Sequence, residues 1–71
     1  MKDLNSQRAG LIGCAIGSAV IELTARGVPI TKGNILYELE RIAAASSDLQ
    51  VKAFALDAAK LLRAGTDEVN A

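Results

Sequence analysis

Apolar residues recur along this chain at helical spacing in three blocks, and two sets of stop signals separate them. The first set is Gly27-Val28-Pro29-Ile30-Thr31. Gly27 suits the left-handed residue just past a helix end, Pro29 cannot continue that helix, and Thr31 can cap the next one. The second set is Ser46-Ser47-Asp48, where Ser47-x-x-Gln50 reads as a capping box and Asp48 complements the positive helix end. Gly65 reads as the last stop, with Lys60 and Arg63 where cations favour a helix C-terminus. The pattern predicts helices near 4–26, 32–45 and 48–64, with residues 66–71 as a frayed tail, in one small helical domain over residues 1–71.

The three faces differ in kind. In the second helix Ile35, Leu36, Leu39, Ile42 and Ala43 share one arc, and Tyr37, Glu38, Glu40 and Arg41 share the other, so it is expected to pack on one side only. The third helix is expected to bury Val51, Phe54, Ala55, Ala58, Leu61 and Leu62. Its opposite arc carries Lys52, Asp57, Lys60 and Arg63, with Leu49, Ala53 and Leu56 among those charges. The first helix is apolar nearly all round. Ile12, Ile16, Ala19, Val20 and Leu23 form one stripe, while Gly10, Gly13, Cys14, Gly17 and Ile21 cover the opposite side. Arg8, Ser18, Glu22 and Arg26 hold only a narrow wedge. A helix of that kind is a buried helix, and two short partners cannot easily cover both its sides.

Length sharpens the point. A chain of 71 residues buries only about 60% of its unfolded surface and needs a disulfide, a metal or an oligomer to gain stability. One cysteine excludes an internal disulfide, and the absence of histidine removes the commonest metal ligand. Association of copies is left. Each of the three glycines costs up to about 1 kcal/mol in a helix interior relative to alanine; close approach of two backbones would offset that cost, as Gly13-x-x-x-Gly17 spacing does in membrane helices. The alternative is that the glycines fit the third helix closely within one chain. The expected fold class is all-α: a three-helix protomer, one long helix plus a helical hairpin, forming a homodimeric helical bundle. Gly10, Gly13, Cys14, Gly17 and Ile21 are its expected dimer interface.

Composition excludes more than it assigns. Thirteen alanines and only two aromatics, Tyr37 and Phe54, favour helix over strand. Cys14 has no histidine, the serines have neither a histidine nor an obvious lysine partner, and no nucleophile–base pair can be assembled. Cys14 reads as a small packing residue rather than a reactive thiol. Glu38 and Glu40 point about 200° apart on a helix, and Asp67 and Glu68 fall in the tail. No residues stand at metal-ligand spacing, and the glycine series lacks the preceding strand and the Lys-Ser/Thr of a phosphate loop. No catalytic residue, cofactor or metal is expected, and the chain is not expected to be an enzyme.

Eight basic residues balance eight acidic ones, so the excess positive charge that drives nucleic-acid binding is missing. A DNA-binding transcriptional or nucleoid-associated regulator is the alternative reading, using Lys52, Lys60 and Arg63 joined across a dimer. Tyr37, Arg41, Leu49 and Leu56 are the candidates for contact with a protein partner. The longest apolar run, Ala9 to Ile21, is thirteen residues, short of the roughly 20 that span a bilayer. Leu11-Ile12-Gly13-Cys14 resembles a lipoprotein cleavage box but follows a polar segment. A lone cysteine fits a reducing compartment, so no membrane is expected and the location expected is the cytoplasm.

Ile16-Gly17-Ser18-Ala19-Val20-Ile21-Glu22-Leu23, then Gly27, then Asn34-Ile35-Leu36-Tyr37-Glu38-Leu39, then Ser47-Asp48, resembles the YmgB/AriR family over roughly residues 11 to 63. The order and spacing of these short motifs carry the resemblance. It implies an all-helical homodimer without catalysis, acting as a connector in biofilm development and acid resistance. Its implied partners are regulatory proteins such as a phosphorelay sensor kinase or a light-responsive repressor, and DNA binding has also been proposed in that family. The segment before helix 1 is short and not notably acidic here, which weakens any partner contact such an extension makes in relatives.

Overall fold

Gly27 takes a left-handed backbone, φ 68°, and everything downstream is placed by that turn. In the computed structural model, which describes residues 2–70 and the side chains of residues 7–65, three helices follow one another: α1 (Lys2–Ala25), α2 (Lys32–Ala45) and α3 (Leu49–Asn70). There is no strand among the described residues. The Val28 N–H donates to the Leu23 carbonyl at 2.9 Å and the Gly27 N–H to that of Thr24 at 3.1 Å. This doubly bonded cap satisfies carbonyls that the end of α1 would otherwise leave bare.

Thr31 caps α2, its hydroxyl accepting from the Asn34 N–H at 3.1 Å. The Asn34 side chain donates back to the Pro29 carbonyl at 2.9 Å, closing the α1–α2 loop. The cap of α3 is Asp48 rather than the expected Ser47 box. Its Oδ1 accepts from the N–H groups of Gln50 at 2.8 Å and Val51 at 3.4 Å, while Ser46 Oγ accepts from the Asp48 N–H at 3.0 Å. The carboxylate lies one residue nearer the orphan amides than Ser47 does. Nor does α3 stop at Gly65: it runs to Asn70. Gly27 is the only glycine with positive φ among the described residues, so Gly65 forms no left-handed cap, and Lys60 and Arg63 stand inside the helix rather than at its end.

Seven apolar residues are buried among those described: Ala19 and Leu23 of α1, Leu39 and Ala43 of α2, and Ala55, Ala58 and Ala59 of α3. Five of the seven are alanine. Ile12, Ile16, Ile35, Leu36, Ile42 and Leu62 pack around them, half-buried. Two residues expected in the core, Val51 and Leu61, are exposed instead, and Ala59 takes an inner place. The inward arc of α3 is turned by about 50° from the one read at 100° per residue, because methyl groups allow the closest approach of helices and the larger side chains are moved to the flanks.

Ion pairs latch each helix to the other two. Arg8 of α1 meets Asp57 of α3 at 2.6 Å, Arg63 of α3 meets Glu40 of α2, and Arg26 at the end of α1 meets Glu38 of α2. Glu38 was expected on the solvated arc. Its side chain is 0% exposed, held by Arg26 on Oε1 and by Arg41, whose Nε donates to Oε2 at 3.1 Å. Arg26 therefore reaches across the loop to α2 instead of pairing with Glu22 one turn back. Lys52 Nζ donates to the Ala43 carbonyl at 2.6 Å, placing a cation at the negative end of α2.

Candidate interaction surface

The outer side of α1 is apolar and largely exposed. Between Gln7 and Arg26 the charged residues Arg8, Glu22 and Arg26 fall within about 40° around its axis, while the arc from Gly13 round to Leu11, about 160° wide, holds no charge over that stretch. Gly10, Gly13 and Cys14 are exposed, Gly17 is half-buried, and Ile21 is 69% exposed. A Cβ built on any of the three glycines meets no atom within 4 Å. The reading in which these glycines admit α3 of the same chain is thereby excluded. Cys14 was expected to be a packing residue; within the protomer it is exposed.

Next to this arc lies an apolar groove of about 220 Å³ where the three helices meet. Leu11, Cys14 and Ser18 of α1 form one wall, and Ile42 of α2 with Val51 and Phe54 of α3 form the other. Val51 lines this groove and is exposed in it. Sequence reasoning did not find the groove, since it depends on that turn of α3; Val51 and Phe54 three residues apart were the available signal.

The other singled-out residues do not converge with this surface into one site. Leu49 is 79% exposed and Leu56 is exposed on the outer face of α3. Tyr37 is exposed on α2, and Arg41 is held by Glu38. Of the basic candidates, Lys52 bonds the α2 terminus and Arg63 is paired with Glu40, so only Lys60 has no such bond among the three. All four arginines of the chain are engaged in ion pairs with its own carboxylates. No cluster of three or more metal-ligating side chains occurs among the described residues. The side chains of Asp67 and Glu68 lie outside the described residues.

Helical continuity also changes the account of α1 as an apolar segment. The stretch Gln7–Ala25, 19 residues, is by length and composition long and apolar enough to cross a membrane, and only 11% of it is buried. The expected thirteen-residue run, Ala9 to Ile21, is the uncharged part of this stretch between Arg8 and Glu22, and the longer window accommodates both charges.

Comparison with known proteins gives no match: no family model, no curated protein and no solved structure corresponds to this chain.

Proposed function

We propose that this chain is a non-enzymatic connector that works through protein–protein contact, as a homodimer in the cytoplasm. Its place in biofilm and acid-stress signalling, with a sensor kinase or a repressor as partner, is what the family resemblance contributes. The observation that carries the proposal is an inversion of size: five of the seven buried apolar residues are alanine, while Leu11, Ile21 and Val51 stand exposed on and beside the outer side of α1. Large apolar side chains left outside mark an interaction surface.

The extent of the chain supports the same reading: its radius of gyration is 12.4 Å, against about 11 Å for a compact domain of this length. Insertion of α1 into a bilayer would remove Ala19 and Leu23 from the core and uncover the inner faces of α2 and α3, so a partner surface accounts better for its apolar outer side.

Light scattering at micromolar concentration tests the proposal. The expected mass is twice that of the chain; a stably folded monomer up to about 100 µM refutes the dimer. For the cellular role, deletion is expected to alter surface attachment or survival at low pH, and no change in either refutes that part.

A further inference from the structure

We propose that the uncharged arc of α1 and the adjoining groove form one self-complementary seat, in which α1 of a second copy crosses antiparallel at Gly17 and places its Ile21 in the groove beside Cys14. This rests on the association reading above and specifies its geometry.

Two observations choose a second copy as the occupant. The first is that the surface holds both halves of a fit. A projecting Ile21, 69% exposed, stands on the same helix as the concave wall of Leu11, Cys14 and Ser18. In a two-fold interface residue i meets residue j and j meets i, so one such pairing occurs twice. A crossing centred between Gly17 and Ser18 brings position 21 of one chain to position 14 of the other, by simple reversal about that point. The second is clearance. Gly17 has no atom within 4 Å of where a Cβ would stand, so the space beside the backbone at the crossing is open to another backbone. From Gln7 to Ala25 the arc carries no charge to be desolvated when that backbone arrives, and a partner helix with charges along its buried face would leave them unpaired.

The geometry makes a covalent readout available. Ile21→Cys in the otherwise native chain is expected to form an intermolecular disulfide with Cys14 under mild oxidation, giving a dimer on a non-reducing gel. The two thiols lose two electrons and two protons to the added oxidant. Adding Cys14→Ser to that variant is expected to abolish the product, and Leu56→Cys, on the outer face of α3, is expected to give none. Independently, Gly17→Leu is expected to weaken dimerisation at least tenfold at unchanged helix content by circular dichroism. A dimer by light scattering that neither cross-links through positions 14 and 21 nor responds to Gly17→Leu overturns the seat while leaving the association reading intact. A monomer at all concentrations overturns both.

Discussion

Removing Arg26 should cost this protein more than removing the carboxylate it binds. Glu38 is fully buried, whereas the side chains of Arg26 and Arg41 are 41% and 49% exposed. No buried side-chain polar atom among the described residues lacks a partner, so each loss can be traced. In Arg26→Met, Glu38 Oε1 loses its donor and stays in the interior with Arg41 alone. Breaking a buried pair in this way costs about 3–5 kcal/mol, and the retained Arg41 argues for about 3. In Glu38→Met, the site receives an unbranched apolar side chain of similar volume, and both guanidinium groups turn to water they already touch. That change should lie within about 1 kcal/mol of neutral, since apolar replacements of buried ions often do. The stability of a 71-residue domain is only about 4–10 kcal/mol, so the contrast is large. Urea unfolding of the two single variants and the double variant, at one fixed protein concentration, measures it. The double variant should return to the level of Glu38→Met. If Glu38→Met is as damaging as Arg26→Met, the carboxylate is a net source of stability and the reasoning fails.

Two further substitutions test how the elements are delimited. Asp48→Ala should cost about 1 kcal/mol and lower Tm by roughly 4–8 °C, whereas Ser47→Ala should leave Tm nearly unchanged; the reverse order would restore the Ser47 capping box. Gly27→Ala should cost about 1–2 kcal/mol, because alanine resists a left-handed backbone although nothing lies within 4 Å of its Cβ; an unchanged thermal melt would show that the turn is not held as described.

Reading the pattern of apolar residues succeeded where one residue decides the outcome locally. Gly27, Pro29 and Thr31 act within a single turn, and the α1–α2 boundary follows from them. It failed where the deciding partner is distant. Glu38 falls in the series Ile35, Glu38, Leu39, Ile42, the i, i+3, i+4, i+7 spacing of an inner stripe. Its charge argued for solvent, and the argument reverses only when Arg26 is known to arrive from across the loop. Arg26 itself had an adequate local partner in Glu22, so nothing in sequence distance favoured Glu38.

The facing of α3 was missed for a different reason. Alanine and leucine count alike as apolar, and the arc centred on Ala58 was consistent with both orientations. Packing separates them, because Ala55, Ala58 and Ala59 permit close helix contact and Val51 and Leu61 do not. The outer face of α1 was legible because it needs no partner to define it: from Gln7 onward the charges crowd into a wedge and the remainder is bare. What covers that remainder is a property of a surface, and the groove beside it exists only once α3 is turned.

The methyl-lined interior bears on how this molecule melts. Alanine has no rotamers to surrender on folding, so closing the chain around these residues costs less side-chain freedom, and removes less hydrocarbon from water, than a core of leucine would. Unfolding of an isolated chain should therefore show a shallow denaturant dependence and a small heat-capacity increment for its length. The branched side chains outside keep their freedom until something meets them, and the cooperativity expected of a globular domain would then arise at the encounter and not within the fold.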